Sequence, residues 1–367
     1  MKKMKNTLLV MSLLFSFSIF SQEEDSVKMV VASTVEVDSS GIDPEAQELY
    51  NEGISALEKD QNKAAIEYFS KALEITPEFP QALNNRGYAY LSLKEYDKAM
   101  EDFKKTVEIN PELDNIFFEL GVISELKDSI NDAVDYYTKA IKINSTDEKY
   151  YYQRGLQYFK LEQYNKAVDD FTGVISLKKD HAFAYNDRGS AKKQLDDLEG
   201  AILDYKAATL QDPNLVIAHN NLGTAYREKK DFANAISSFT NAISIDNNNF
   251  IAMNNRGYAK FENEDYEESI KDFKAAIKMN PDYAIAYNNM AGSYILLEKF
   301  KEAVEASSKA IEIDPQFGYA FLNRGVAQEM LRNEVEACED WVTASSLGVD
   351  LGDKYYQSTS CSSLIRK

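Results

Sequence analysis

A small residue recurs every 34 positions along this chain, and this period constrains the fold more than any other feature. The residues are Gly53, Gly87, Gly121, Gly155, Gly189, Gly223, Gly257, Ala291 and Gly325. A fixed period of about 20–50 residues is typical of stacked repeat proteins rather than of one globular core. Because glycine inside a helix costs about 1 kcal/mol relative to alanine, its return indicates close packing against a second element.

Each copy of the repeat contains two apolar segments with helical spacing. An aromatic residue follows the small residue by sixteen positions in most copies: Phe69, Phe103, Tyr137, Phe171, Tyr205, Phe239, Phe273 and Trp341. A short polar turn such as Lys94–Asp97 separates the segments, and pairs such as Asn110-Pro111 end the copies. This pattern predicts two helices per copy. We expect the Gly to face an Ala of the second helix, with the aromatic rings filling the gaps on either side.

These positions together resemble the tetratricopeptide repeat family, whose pattern is a large residue, Leu, Gly and Tyr, then Ala, Phe, Ala and Pro, over 34 residues. The resemblance implies an all-α, right-handed superhelical solenoid of antiparallel helix pairs that binds proteins in a concave groove. Residues 352–367 are expected to form a capping helix or tail. The resemblance covers nine units, 46–79, 80–113, 114–147, 148–181, 182–215, 216–249, 250–283, 284–317 and 318–351.

The first residues of the chain resemble a secretory signal. Three lysines precede an apolar stretch from Thr7 to Phe20, which is too short to span a bilayer. The sequence therefore predicts a signal peptide at 1–21, an acidic disordered leader at 22–43, and export by a bacterium to the periplasm or beyond it. No later segment is predicted to insert into a membrane.

The net charge of −19 excludes two classes of partner. Nucleic acid and anionic lipid surfaces both require a basic face, which this composition does not offer. A net negative charge of this size is also expected of a long exposed solenoid whose acidic surface keeps it soluble.

The sequence contains no recognisable catalytic arrangement. His181 and His219 occupy different places in the repeat and have no third ligand nearby, so a metal site is not expected. A glycine-rich phosphate loop, a nucleophile elbow and a metalloprotease motif are all absent from the sequence. We predict a protein that is not an enzyme and uses no cofactor.

Arginine and aspartate vary together across the copies. Arg precedes the small residue in five copies, at Arg86, Arg154, Arg188, Arg256 and Arg324. Sixteen residues later the same five copies have Asp102, Asp170, Asp204, Asp272 and Asp340, and no other copy has either residue. Paired variation marks spatial contact, so we predict an ion pair between the two helices of each unit. The alternative is that the arginines line a groove for an anionic ligand.

The resemblance implies that the first helix of each unit lines the groove. Asparagine at the sixth position of the unit, two before the small residue, and at the fifth could donate to and accept from a peptide backbone. The predicted peptide-binding residues are Asn51, Asn85, Asn221, Asn255, Asn289, Asn323, Asn254 and Asn288, with the aromatic residues Tyr88, Phe159, Tyr258 and Phe261. The alternative is that these amides bond only within the solenoid.

The two cysteines lie near the end of the repeats. Cys338 takes a place that other copies fill with an aliphatic residue, and Cys361 lies in the expected capping segment, which should pack on the last unit. A disulfide is one interpretation in an exported protein, and burial as two small apolar side chains is the other.

The sequence thus predicts a non-catalytic scaffold of the cell envelope that holds an extended peptide or protein segment in its groove. The alternative function is an assembly module of a secretion or outer-membrane complex that uses the convex face and the ends. The identity of the partner and the oligomeric state are not set by the sequence.

Overall fold

The computed structural model describes residues 42–358 and residue 361. The predicted signal peptide, residues 22–41 of the predicted leader and the rest of the tail lie outside the described residues. Within them the chain forms nineteen α-helices and no strand, and none of these helices is both long and apolar enough to cross a bilayer. The helices are α1 Pro44–Leu57, α2 Asn62–Ile75, α3 Pro80–Ser92, α4 Tyr96–Ile109, α5 Asp114–Leu126, α6 Ile130–Ile143, α7 Glu148–Lys160, α8 Tyr164–Leu177, α9 Ala182–Gln194, α10 Leu198–Gln211, α11 Val216–Glu228, α12 Phe232–Ile245, α13 Phe250–Glu262, α14 Tyr266–Met279, α15 Ala284–Leu296, α16 Phe300–Ile313, α17 Gly318–Met330, α18 Glu334–Ser346 and α19 Asp350–Ser358.

The helices divide into two compact bodies. The N-terminal body contains α1–α9 and the C-terminal body contains α10–α19, with the division after Asp197. This division falls inside the predicted unit 182–215, between its two helices.

Within each body, consecutive helices pack against each other as antiparallel pairs, so the all-α repeat fold is confirmed. The odd-numbered helices α1–α17 are the first helices of their units, and the even-numbered helices are the second helices. First helices of neighbouring units also contact each other, as α13 does with α11 and α15. One face of each body is therefore lined by first helices, and we refer to it as the first-helix face.

In seven units the recurring glycine makes room for an aromatic ring. A Cβ atom added to Gly87 would lie 2.7 Å from Cε1 of Phe103, and one added to Gly257 would lie 2.8 Å from Cε1 of Phe273. The expectation that the glycine faces an alanine was therefore wrong, because the ring of the second helix occupies that space.

The eighth unit exchanges both partners of this contact. Ala291 replaces the glycine and Ser307 replaces the ring, and both side chains are fully buried. The added methyl group and the smaller partner compensate each other, so the helix pair α15–α16 keeps its packing without an aromatic ring at this contact.

A residue with left-handed backbone conformation follows the first helix in every unit. Its φ lies between 54° and 68°, and none of these residues is glycine. The nine residues are Asp60, Lys94, Asp128, Glu162, Asp196, Lys230, Glu264, Glu298 and Arg332. Within each body, this turn reverses the chain between the paired helices.

The last repeat is covered by α19. Cys338 of α18 and Cys361 form a disulfide with their Cα atoms 5.5 Å apart, and both side chains are buried. The ring of Tyr355 stacks on Trp341 with centroids 5.2 Å apart. A Cβ atom on Gly352 would lie 2.5 Å from the backbone oxygen of Trp341. The terminal helix thus lies very close to α18.

Candidate protein-binding face

Asparagine side chains connect neighbouring first helices in the C-terminal body. Asn289 Nδ2 of α15 donates to Asn254 Oδ1 of α13 at 3.1 Å, and Asn323 Nδ2 of α17 donates to Asn288 Oδ1 of α15 at 2.9 Å. All four residues are at most 3 % exposed. The sequence predicted that these residues form an open peptide-binding surface. The structure instead places their amides inside the stack of helices, where they link one unit to the next. Contact with a peptide would require these bonds to open.

Several amide groups on this face keep an unused hydrogen-bonding atom. Asn288 Nδ2 and Asn289 Oδ1, neighbours on α15, are a donor and an acceptor without a partner among the described residues, and Asn220 Oδ1 on α11 is a further acceptor. Asn84 Oδ1 on α3 is the corresponding acceptor in the N-terminal body. Buried polar atoms are normally paired. These atoms are enclosed within the stack, so a binding partner could reach them only where neighbouring helices separate.

The N-terminal body uses tyrosine in the same arrangement. Asn85 Nδ2 of α3 donates to Tyr50 Oη of α1 at 3.0 Å, and Tyr152 Oη of α7 donates to Asp187 Oδ2 of α9 at 2.7 Å. In both cases the fifth position of one unit meets the sixth position of the next. The bond between units therefore depends on the position in the repeat, and different side chains can supply it.

Two carboxyl groups on this face have raised pKa values. Burial raises the pKa of Asp187 to about 6, although hydrogen bonds from Tyr152 and Asn186 act in the opposite direction. Burial likewise raises the pKa of Glu119 of α5 to about 7, and Tyr88 Oη donates to Glu119 Oε1 at 3.5 Å. Both carboxyls therefore change charge close to neutral pH.

The other predicted groove residues differ in accessibility. Tyr88, Tyr258 and Phe261 are buried, and the last two rings stack with centroids 5.9 Å apart. Phe159 is half-buried and Asn51 is exposed.

A small accessible patch remains on the first-helix face of the C-terminal body. Asn221 and Asn255 are half-buried, and Ile251, one helical turn before Asn255, is 42 % exposed. We call Asn221, Ile251 and Asn255 the α11–α13 patch. It combines amide groups with an apolar side chain.

Four of the five arginines form bidentate ion pairs with their aspartates. Arg86 Nε and Nη2 each lie 2.7 Å from an oxygen of Asp102, and Arg256 binds Asp272 in the same way at 2.9 and 2.7 Å. Arg154–Asp170 and Arg324–Asp340 share this geometry. Arg188 and Asp204 belong to different bodies. The four pairs observed lie between helices, so the alternative of a groove lined by arginines for an anionic ligand is not supported by their positions.

Each arginine also has a hydroxyl partner that the sequence reasoning missed. Nη1 of Arg86 donates to Ser70 Oγ at 3.0 Å, so one guanidinium joins the second helices of two consecutive units. The same bond reaches Thr138, Thr172, Thr240 and Ser308 in the other four cases. Each of these Ser and Thr residues lies sixteen positions before its arginine. Where a unit has Leu or Met in place of the arginine, the residue sixteen positions earlier is a lysine: Lys104, Lys206 or Lys274. The signal was thus present in the sequence.

The histidines have local structural roles. His181 Nδ1 accepts a hydrogen bond from the backbone N–H of Ala184 at 3.1 Å and caps α9, and His219 Nε2 lies 3.0 Å from the backbone oxygen of Pro213. The described residues contain no group of three or more His, Cys, Asp or Glu side chains arranged to hold a metal ion.

The fold and this face define a class of protein, an α-helical repeat scaffold whose helix pairs offer an extended surface to another protein. Family models described as tetratricopeptide repeat or TPR repeat match residues 56–94, 80–113, 148–181, 216–249, 257–297 and 284–317. Together they cover more than half of the sequence. The chain belongs to the tetratricopeptide repeat family, whose members are typically non-catalytic scaffolds for protein interaction.

Solved structures of bacterial repeat proteins share this fold. The C-terminal part of a TPR repeat-containing protein from Cytophaga hutchinsonii is 18% identical, with a TM-score of 0.54 over 63% of this chain and 95% of that chain. A tetratricopeptide repeat protein from Parabacteroides merdae is 18% identical, with a TM-score of 0.50 over 69% of this chain and 97% of that chain. At this identity the similarity shows the fold alone. No curated protein matches the sequence significantly.

Proposed function

We propose that this protein is a non-catalytic scaffold of the bacterial cell envelope that binds an extended protein segment on its first-helix face. The observation that carries the proposal is the α11–α13 patch, in which two half-buried amides lie on neighbouring first helices with an exposed apolar side chain. An extended segment presents one N–H and one C=O per residue, and the side-chain amide is the group that can pair with both. Ile251, which is 42 % exposed, supplies an apolar contact beside them.

The uncharged character of the patch favours the main chain of the partner over its charges. Asn221, Ile251 and Asn255 carry no charge, although the chain as a whole has a net charge of −19. Binding of this kind tolerates different sequences, because backbone groups are the same in every peptide. We therefore expect this scaffold to accept extended segments of varied sequence.

Placement in the envelope is supported by two observations. Three lysines among residues 2–5 precede an apolar stretch of the length of a secretory signal. Cys338 and Cys361 are joined in a disulfide, a bond that persists in oxidising compartments such as the periplasm.

The test is affinity capture of partners from envelope extracts of the native organism, followed by mass spectrometry. The test variant changes Asn221, Ile251 and Asn255 to Ala. A matched control changes Asn131, Asn165 and Ile109 to Ala, which are the same residue types on exposed parts of second helices. Loss of a partner from the test variant alone supports the proposal. Equal recovery by both variants contradicts binding at this face.

Fractionation tests the location separately. We expect the chain in the periplasmic or outer fraction, with a mass that lacks residues 1–21. A full-length chain in the cytoplasmic fraction would contradict the envelope assignment and leave the binding result standing.

The second candidate function is an assembly module that uses the outer face formed by second helices. It is supported by Leu203 and Leu210 of α10, which are strongly exposed on that face. Capture that survives the first-helix changes but is lost on changing these leucines favours this alternative.

A further inference from the structure

The junction between the first helices α3 and α5 differs from the amide-bonded junctions of the first-helix face. At α13–α15 and α15–α17, an asparagine at the sixth position of one unit donates to an asparagine oxygen at the fifth position of the unit before it. Asn85 donates to Tyr50 in the same way between α3 and α1. The corresponding residues of α3 and α5 are Asn84 and Glu119. An ionised carboxylate has no hydrogen to donate, so this junction lacks the usual donor.

Tyr88 holds the carboxyl group of Glu119 against α3. It lies one helical turn after Asn84, and its Oη donates to Glu119 Oε1 at 3.5 Å. The side-chain amide of Asn115 bonds to the same Tyr88 oxygen, so the hydroxyl hydrogen of Tyr88 is directed towards the carboxyl group. The other carboxyl oxygen, Oε2, has no hydrogen-bond partner among the described residues. It is the atom on which Glu119 can carry a proton.

Asn84 supplies the other half of an incomplete pair. Its side chain is 2 % exposed, and Oδ1 is a buried acceptor without a partner among the described residues. Buried polar atoms are normally paired. At the junction α7–α9 a carboxyl also occupies the sixth position, but there the fifth position is Tyr152, whose hydroxyl donates to Asp187 at 2.7 Å. An amide oxygen beside an ionised carboxylate instead leaves two acceptors with no hydrogen between them.

We propose that the junction between α3 and α5 is a proton-controlled link, in which protonated Glu119 donates a hydrogen bond to Asn84 Oδ1. With the proton bound, one hydrogen satisfies the buried amide oxygen and joins the two units, as Asn289 joins α15 to α13. When the proton leaves to water, the two acceptors repel each other and the carboxylate turns towards solvent. The first-helix face then loosens at this junction and Asn84 becomes accessible. This proposal does not depend on the function proposed for the first-helix face.

The groups around Glu119 place this change near neutral pH. Tyr88 of α3 and Tyr137 of α6 face it, and burial raises the pKa of both hydroxyls, so they stay neutral. Glu125 of α5 contacts the Tyr137 hydroxyl at 3.3 Å and is paired with Lys160 of α7 at 2.7 Å. Among the described residues no cationic side chain acts on Glu119, and burial raises its pKa to about 7. The link is therefore closed below about pH 7 and open above it.

The first test is hydrogen exchange of the full chain at pH 6 and pH 8, expressed as protection factors so that the faster intrinsic exchange at high pH cancels. We expect the protection of α3 and α5 around Asn84 and Glu119 to fall about tenfold between the two pH values. This is the loss for one carboxyl with a pKa of about 7 in the closed state and about 4.3 in water. The α13–α15 junction, which pairs Asn289 with Asn254, is the internal control and should keep its protection.

The matched variant for this experiment is Glu119→Gln. Its side-chain amide is a permanent donor of similar size, so it should hold Asn84 Oδ1 at both pH values and keep α3 and α5 protected. Circular dichroism checks that the fold is unchanged. Wild-type protection that does not change between pH 6 and pH 8, or a loss that persists in Glu119→Gln, overturns the proposal.

The second test identifies Asn84 as the acceptor. The pKa of Glu119 is read from the carboxyl carbon resonance that disappears in Glu119→Gln. Asn84→Leu keeps the size of the side chain but removes Oδ1, so the protonated carboxyl loses its acceptor and the pKa of Glu119 should fall. Asn254→Leu, at the same repeat position of the C-terminal body, is the control and should leave that pKa unchanged. A pKa of Glu119 that rises or stays the same in Asn84→Leu contradicts the link.

Discussion

Arg154 and Asp170 form a bidentate ion pair between α7 and α8, with Nε to Oδ2 at 2.8 Å and Nη2 to Oδ1 at 2.7 Å. The third nitrogen, Nη1, donates to Thr138 Oγ1 of α6 at 3.0 Å. A single side chain thus joins three helices from two consecutive units. Both charges are largely buried, so removal of one partner leaves the other without compensation.

We expect Asp170→Ala to lower the free energy of unfolding of the N-terminal body by about 2–4 kcal/mol, because it leaves the Arg154 guanidinium buried and unpaired. The double change Arg154→Leu with Asp170→Tyr installs the pair that α5 and α6 hold naturally, Leu120 and Tyr136. It should cost clearly less than the single change. Urea unfolding followed by circular dichroism measures both. Equal shifts of the unfolding midpoint would show that the pair is not coupled.

Lys94→Gly should stabilise the protein. Lys94 has φ 59°, a conformation that costs a non-glycine residue about 1–2 kcal/mol, and glycine adopts it freely. Because glycine also gains freedom in the unfolded chain, we expect a net gain of about 0.5–1 kcal/mol. The matched control is Lys104→Gly inside α4, which should destabilise by about 1 kcal/mol. Thermal unfolding distinguishes the two, and a loss of stability in both variants would refute the conformational explanation.

Ser307→Phe should be strongly destabilising by itself and tolerated with Ala291→Gly. A ring at 307 would occupy the space of the Ala291 methyl group, as the short distances from Gly87 to Phe103 indicate. We expect the single change to cost about 1–3 kcal/mol and the double change to recover most of that loss. Denaturant unfolding of the single and double variants measures the coupling. If the double variant is no more stable than Ser307→Phe, the compensation in the eighth unit is not a matter of ring volume.

Stability should depend on pH through Glu119. Its pKa is raised by burial to about 7, against about 4.3 in an unfolded chain. The folded state therefore holds the proton more tightly, and this stabilisation, complete below the unfolded pKa, is lost as pH rises through about 7. Glu119→Gln should flatten the profile between about pH 4.5 and pH 7 and raise stability at pH 8 by about 1–3 kcal/mol.

The control for this prediction is Glu112→Gln, an exposed carboxyl of the same body. Unfolding midpoints at several pH values provide the comparison. A profile for Glu119→Gln that stays parallel to the wild-type profile would exclude Glu119 as the source of the pH dependence.

Reduction of the disulfide should loosen the terminal helix. The bond closes a segment between residues 23 positions apart, and for a loop of this length it contributes about 3 kcal/mol. Cys361→Ser should behave like the reduced wild type. The single tryptophan of the chain, Trp341, stacks on Tyr355 of α19, so its fluorescence reports on this helix. Unchanged fluorescence and hydrogen exchange in α19 after reduction would show that stacking alone holds it.

Most of the repeat architecture could be predicted from the sequence pattern. The spacing of glycines and aromatic rings predicted the helix pairs, and paired variation predicted the contacts of Arg86, Arg154, Arg256 and Arg324 that the structure contains. Ser70 and Thr138 could have been predicted by the same comparison extended one unit back. A repeat aligns equivalent positions many times, so a contact that recurs leaves a statistical trace.

The left-handed turn could not be predicted from residue type. Lys94 and Glu264 adopt positive φ without being glycine or asparagine. The backbone there is held by the packing of the two helices it connects, and local preference is overridden.

The sequence alone determined the period, the helix pairs and the residues that share a register, because these depend on spacing along one chain. Tertiary structure alone decided which members of a register reach solvent. Asn255 and Asn289 occupy the same repeat position, yet the first is half-buried and the second is fully enclosed and bonded to Asn254. Exposure depends on how closely neighbouring first helices approach, which is set by side chains of two units at once and cannot be read from the spacing within one.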